Sequence, residues 1–140
     1  MNYSRRDLTL LLPALAAAAS AADKPPLGSL ALPFETLPVK TNGENRSRDV
    51  FDGTTHTGFH IDMHESEIAP GLAPHPPHHH EHEEMIMIQQ GTMEVTIAGK
   101  VTRVGPGSVV YVASNEEHGW RNVGTTRANY FVLALGRDQK

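Results

Sequence analysis

Three prolines, Pro74, Pro76 and Pro77, stand directly before a run in which His78, His79, His80 and His82 are mixed with acids up to Glu84. Proline has no amide hydrogen and disfavours helical backbone in the residue before it, so no helix can run into this stretch. In extended backbone, residues two and four apart share a face, which puts His78, His80 and Glu84 together. The continuation Glu84-Met85-Ile86-Met87-Ile88-Gln89-Gln90, closed by Gly91, reads as a strand and a turn. Five of the nine histidines lie between His75 and His82. Imidazole and carboxylate are ligands for borderline first-row metals, so the composition raises the question of a metal site. Three ligands on one strand leave an open coordination sphere, and a fourth must come from another part of the chain.

The candidate fourth ligand is His118, within Gly107-Ser108-Val109-Val110-Tyr111-Val112-Ala113-Ser114-Asn115-Glu116-Glu117-His118-Gly119-Trp120-Arg121-Asn122. Here the chain resembles the cupin superfamily. The first motif of that family has His-x-His, three or four residues, Glu, six residues and Gly; His78, His80, Glu84 and Gly91 fit without adjustment. The second motif places Gly107, His118 and Asn122 in register, and fifteen residues separate the two. Either half alone would be weak, but the pair is specific. Gly71 lies one residue too far from His78, Ala113 stands at a proline position, and Asn115 replaces a glycine. Asparagine best tolerates the positive φ that this glycine serves. The resemblance covers about Phe59 to Leu135. It implies a single all-β double-stranded β-helix, a jelly-roll barrel, with His78, His80, Glu84 and His118 as metal ligands.

The rest of the chain agrees with an all-β reading. Leu30 to Val39, interrupted by Pro33 and Pro38, is expected to supply a peripheral edge strand. Asn42-Gly43 marks a turn before a short strand at Arg48 to Asp52. Thr57 to Ile68 alternates, with Phe59, Ile61 and Met63 expected in the core and His60, Asp62 and His64 facing water. The rival reading puts His60 and Asp62 in the pocket wall. Further strands are expected at Thr92–Ala98 and, after a hairpin at Gly99-Lys100, at Val101–Val104. Ser108–Val112 reads as a buried strand, and His118–Val123 and Arg127–Leu135 complete the series. Residues 23–55 form linker and peripheral strands, 56–136 the barrel and 137–140 a tail.

Residues 1–22 read as a cleavable leader. Ser4-Arg5-Arg6-Asp7-Leu8 resembles a twin-arginine signal, with an apolar run from Leu8 to Ala19 and small residues at Ala19-Ser20-Ala21. This implies a periplasmic or secreted product that no membrane retains once the leader is removed. The full chain carries a net charge of −4. The leader holds Arg5, Arg6 and Asp7, so its removal leaves −5. A net acidic chain without a basic stripe gives no support to nucleic-acid binding. With no cysteine there is neither a disulfide framework nor a thiolate ligand.

Three imidazoles and one carboxylate would fill two-thirds of an octahedron and leave two adjacent positions open. Such a set suits iron, manganese, nickel, copper or zinc and is too rich in nitrogen for calcium or magnesium. His82 shares parity with the ligands but no motif position uses it, which suggests a place at the barrel mouth, either as a proton-transfer group or simply solvated. His75 and His79 are assigned to loop and outer surface. Regular alternation sends Ile86 and Ile88 inward after Glu84, and Trp120 after His118, to form a small apolar pocket for a small-molecule ligand. Met85 and Met87 face the other way, towards inter-sheet or subunit packing, and a homodimer is expected from the resemblance. Two functional readings follow. One is a metal-dependent dioxygenase or isomerase acting on a small carbonyl- or enediol-bearing molecule. The other is a non-catalytic metal- or ligand-sensing module, favoured by the lack of an obvious general base with an orienting partner.

Overall fold

A computed structural model describes residues 26–136. The leader expected at 1–22, the start of the expected linker and the tail at 137–140 lie outside the described residues. Nine antiparallel strands form in chain order: β1 (Lys40–Asn42), β2 (Asn45–Thr54), β3 (His60–Ile68), β4 (Glu83–Gln90), β5 (Met93–Ile97), β6 (Lys100–Val104), β7 (Val109–Val112), β8 (His118–Asn122) and β9 (Ala128–Gly136). Six of them make one sheet in the order β1-β2-β3-β9-β4-β7, and three make a second in the order β6-β5-β8.

The core lies between the two sheets. Alternation sends Ile86 and Ile88 of β4, Val110 and Val112 of β7, and Ala128, Tyr130 and Val132 of β9 inward from the large sheet. Met93 and Val95 of β5 and Trp120 of β8 meet them from the small one. Each fully buried aliphatic or aromatic side chain contributes about 1.5–3 kcal/mol. In the small sheet Val95 pairs with Trp120 and Ile97 with His118. The inward row of β8 is therefore Asn122, Trp120, His118, and it changes from packing to chemistry towards one end of the barrel. Glu84 begins the inward row of β4 and supplies the same change from the facing sheet.

The turns follow backbone requirements. Ala98 and Gly99 both have positive φ, 47° and 78°, as a two-residue type I′ hairpin needs. The hairpin tip thus falls one residue before the expected Gly99-Lys100. Asn115 adopts φ 62°, the left-handed conformation expected of an asparagine at a glycine position. Asn122 is fully buried. Its amide donates to the carbonyls of Ile68 (2.9 Å) and Thr126 (2.8 Å), and its Oδ1 accepts from the Gly124 N–H (2.9 Å).

Three sequence expectations change. Leu30–Val39 forms no strand: the Pro33 carbonyl accepts from the Thr36 amide (3.0 Å) and the Thr36 hydroxyl (2.7 Å), which closes a 3-10 turn at Phe34–Thr36. Pro33 and Pro38 have no amide to give a ladder, so the peripheral strand begins only at Lys40. The strand predicted as buried, β7, is an edge strand with Val109 61% and Tyr111 55% exposed. In β3 the faces are reversed. Ser66 and Ile68 are buried and Ile68 belongs to the core cluster, so the even-numbered set faces inward. Glu65, on the outer face, is fully buried beneath Arg48, whose guanidinium lies 2.6 Å from both Glu65 and Glu67 and 4.5 Å over the Phe34 ring. The arm before β1 covers this part of the sheet, and hydropathy along β3 alone carries no sign of it.

The glycine that ends the first motif allows a sharp test. Gly91 has φ 89°, and a Cβ there would lie 2.6 Å from Ala128 Cα. Gly99 has φ 78° with open space around it. Urea denaturation should find Gly91→Ala less stable by about 3 kcal/mol or unable to fold, and Gly99→Ala less stable by only about 1 kcal/mol.

Candidate metal centre

His78 and His80 were expected on the strand that carries Glu84, but regular pairing starts only at Glu83. Pro76 and Pro77 offer no amides, and the chain reaches β4 through an irregular segment. An isolated antiparallel bridge restores the alignment. The His78 amide donates to the His118 carbonyl and the His118 amide to the His78 carbonyl, each at 2.9 Å. Two residues on, the Asn115 amide donates to the His80 carbonyl at 2.7 Å. Gly119 leaves room for Pro77, whose ring carbon would lie 3.1 Å from any Cβ placed there.

The side chains of His78, His80, Glu84 and His118 come together as a result. His80 Nε2 lies 3.3 Å from Glu84 Oε1, and His118 Nε2 lies 3.5 Å from Glu84 Oε2. Ligand atoms of His78, His80 and His118 all fall within 4.8 Å of one another. Their ring centroids are separated by 5.1 Å (His78–His80), 4.7 Å (His78–His118) and 4.8 Å (His80–His118). Imidazoles bound through nitrogens ~2.1 Å from one shared ion have centroids roughly 4.6 Å apart at a right angle and roughly 5.3 Å apart at a tetrahedral one. The three separations fall in that interval.

Tautomers agree with this arrangement. A carbonyl oxygen only accepts, so His80 Nδ1–H donates to the His82 carbonyl (2.8 Å) and His118 Nδ1–H to the Glu116 carbonyl (2.8 Å). In each ring the lone pair then belongs to Nε2, the nitrogen turned towards Glu84. His78 Nδ1, His80 Nε2, Glu84 Oε2 and His118 Nε2 are buried without a hydrogen-bond partner. Leaving one such group unsatisfied costs about 1–3 kcal/mol, and a divalent cation is the partner that would satisfy the group of them. The residues present fit a metal ion.

The second set within metal-binding reach, His80, His82 and Glu84, reads differently. His82 stacks on His80 with centroids 3.5 Å apart and planes 9° apart, too close for both rings to bind one ion. With its Nδ1 engaged, His80 has one lone pair, so the two sets compete for a single ion. His82 Nε2 lies 3.4 Å from Glu84 Oε1, beside the ligands. His79 is exposed in the loop. His75 is also an exposed loop residue, yet its ring packs edge-on against His78 (4.3 Å) and Trp120 (5.9 Å).

A cavity of about 200 Å³ lies on the Trp120 side of the cluster. Trp120 lines it, but Ile86 and Ile88, expected there, are packed in the core and do not. Its other walls include His64 and Ser66, which sequence reasoning missed because it turned the wrong face of β3 inward, and Tyr130 of β9, the register partner of Ser66. Burial pushes the Tyr130 phenol up to about 12, so it remains an O–H group. Its oxygen accepts from Trp120 Nε1–H at 2.8 Å. His60 and Asp62 do not line the cavity; His60 Nε2 meets Asp52 at 2.7 Å, and Asp62 lies 3.5 Å from His64 Nδ1.

Comparison with known proteins bears on the same residues. The sequence profile of the Cupin domain family matches residues 64–134. No curated protein matches at a significant level. Among solved structures, an RmlC-like cupin from Shewanella frigidimarina superposes with a TM-score of 0.66 at 14% identity, over 80% of this chain and 95% of that one. KdgF from a Halomonas species gives 0.64 at 20%, over 75% and 93%. A protein from Thermotoga maritima described as a predicted oxalate decarboxylase gives 0.67 at 17%, over 76% and 99%. At these identities the likeness extends to the fold alone.

Burial, followed by neighbouring imidazoles, holds His78 and His82 below the ordinary histidine value of 6.5. The unfolded chain therefore binds more protons once the pH drops below that value, and the folded state loses stability as the pH falls through the depressed values. Denaturation of the chelated, metal-free protein should show stability declining below pH 6.5, with a shallower decline in His82→Ala.

Proposed function

The chain belongs to the cupin domain family, and on that premise we propose that it is a metal-dependent enzyme, a dioxygenase or isomerase of a small carbonyl- or enediol-bearing molecule. His78, His80, Glu84 and His118 hold one divalent transition-metal ion. The observation that carries this reading is the convergence of buried ligand atoms that have no hydrogen-bond partner. Iron, manganese, nickel, copper and zinc all suit the donor set. When bound, such an ion supplies Lewis acidity and leaves coordination positions open for substrate oxygens. The protein's own part is to orient the imidazoles through the Glu116 and His82 carbonyls and to keep bulk water from the Glu84 and His118 side. His82, next to Glu84 and outside the coordination sphere, is placed to exchange protons at the barrel mouth.

The alternative is a binding or sensing module of the same fold. The enzyme reading is favoured by His64 at the cavity wall, whose Nδ1 lies 3.5 Å from Asp62, an imidazole with a neighbouring carboxylate that the sequence did not reveal. The twin-arginine-like Ser4-Arg5-Arg6-Asp7-Leu8 and the apolar run after it support a periplasmic or secreted product.

Pairing of two copies is also proposed. Register places Leu133, Met85 and Tyr111 side by side across β9, β4 and β7, with Phe131, Met87 and Val109 in the next row. Met85, Val109, Tyr111 and Leu135 are exposed. A lone subunit would leave this apolar outer face in water. Light scattering should find a dimer, and Tyr111→Lys with Val109→Lys a monomer.

Elemental analysis of purified protein should give one metal per chain. In His80→Ala the loss in affinity should exceed the ~10–100-fold typical of removing an outer partner, while His82→Ala should keep the stoichiometry. The enzymatic reading is abandoned if protein loaded in turn with iron, manganese, nickel and copper neither consumes oxygen nor converts any of a panel of hydroxycarbonyl compounds.

A further inference from the structure

The cavity beside the ligand cluster has a composition that selects among substrates. Trp120, Tyr130 and Ile68 form its floor, and Ser47, His64 and Ser66 lie along its walls. Its volume, about 200 Å³, is below the ~300–1,000 Å³ of sites for drug-sized ligands. It equals roughly seven waters' share of liquid volume, room for on the order of ten non-hydrogen atoms.

Charge decides the class of ligand. The inner face of the β1–β3 wing offers no free cation among the described residues. Arg46 touches the cavity rim, but it pairs in register with Glu67 on the outer face and sets its guanidinium 3.9 Å from that carboxylate. Arg48 is held between Glu65 and Glu67, and the Lys40 ammonium is bonded to Asp49. Asp49, Asp52 and Asp62 share the inward face of β2 and β3 with His64 and Ser66. Among the lining residues an anion would meet one guanidinium, Arg46, which is half exposed and turned towards Glu67, and the remaining polar lining is uncharged serine, asparagine, phenol and imidazole. A purely apolar ligand would offer nothing to the Ser47 hydroxyl or to the His64 nitrogen that does not face Asp62, and polar groups covered without a partner are costly. Hydroxyl groups, which both donate and accept, match serine, imidazole and phenol alike.

We propose that this cavity binds a small uncharged polyhydroxylated compound of about pentose size. The ligand sits with its hydroxyls on Ser47, His64 and Ser66 and its carbon skeleton on Trp120. Trp120 stacks on His118 at 5.6 Å, and this shared residue joins the cavity to the metal ligands. The inference rests on the metal-centre reading for the fate of the ligand, but not for its capture.

Calorimetric titration of the zinc-loaded full chain with xylose, xylonate and cyclopentanol tests it, with zinc content measured on the same samples. Xylose should bind most tightly. His64→Leu combined with Ser66→Val should weaken xylose at least ~10-fold without changing zinc content, because a site built on hydrogen bonds loses most when they are removed. Ser47→Ala, nearer the surface, gives a second reading should the double variant fail to fold, and it should also weaken xylose. Equal or tighter binding of xylonate or cyclopentanol overturns the inference and leaves the metal centre standing, as does unaltered xylose binding in the variants. Absence of zinc uptake with xylose still bound removes the metal reading and upholds the cavity's.

Discussion

Two hydrogen bonds, exchanged between the backbones of His78 and His118 at 2.9 Å, are the constraint on which the rest of the centre depends. One residue belongs to an irregular segment that cannot join a ladder because of its prolines; the other begins β8 of the small sheet. Without the bridge nothing would fix the distance between imidazoles that are forty residues apart in the chain. The bridge also explains residues that carry no chemistry. Gly119 has to be bare for Pro77 to approach, and Asn115 has to turn through positive φ for its amide to reach the His80 carbonyl. Rigid placement of this kind lets ligands from separate elements act as a unit.

A second consequence is electrostatic. Strand alternation divides the charges of β2 and β3 between two faces. The outer face takes Arg46, Arg48, Glu65 and Glu67; Arg48 bridges the two glutamates beneath Phe34, and half-exposed Arg46 lies 3.9 Å from Glu67. Burial pushes the Glu65 carboxyl up, while its bond to Arg48 pulls it the other way, so the residue is tolerated inside because of its partner. The inner face retains serines, imidazoles and three aspartates. Among the described residues the cations of this wing are engaged by carboxylates, Arg46 and Arg48 by Glu65 and Glu67 and Lys40 by Asp49.

Much of this was legible in the sequence because it rests on spacing. The grouping of His78, His80, Glu84 and His118 follows from the pairing of two motifs, although the period of extended chain does not apply to His78 and His80, which precede β4 in an irregular segment. The positive φ of Asn115 needs only the chemistry of asparagine. What could not be read depends on contacts between distant segments. The inward face of β3 is decided by the arm that covers Glu65 and Arg48, and the exposure of Val109 and Tyr111 by the edge position of β7. Local hydropathy gives Ile86 and Ile88 the same inward direction as Glu84, but only the facing residues Met93, Val95 and Trp120 determine that they are packed rather than open. His64 was consigned to water for the same reason, and with it the imidazole–carboxylate pair at the cavity.

His82 shows how a ligand-type residue can lie inside a cluster without the geometry to share one ion with its neighbour His80. Its ring lies flat on His80, and its backbone packs against Gly136, where a Cβ would fall 2.9 Å from its own. Moving the ring out to a coordinating angle would break the stack, and the His82 carbonyl is already used to orient His80. The residue therefore holds one flank of the centre closed. On the opposite flank Trp120 and His75 border the cavity, and Trp120 stands between it and His118, on which it stacks. A set of imidazoles and one carboxylate suits several metals and chemistries, so what is particular to this chain lies in that wall, with Ser47, His64 and Ser66.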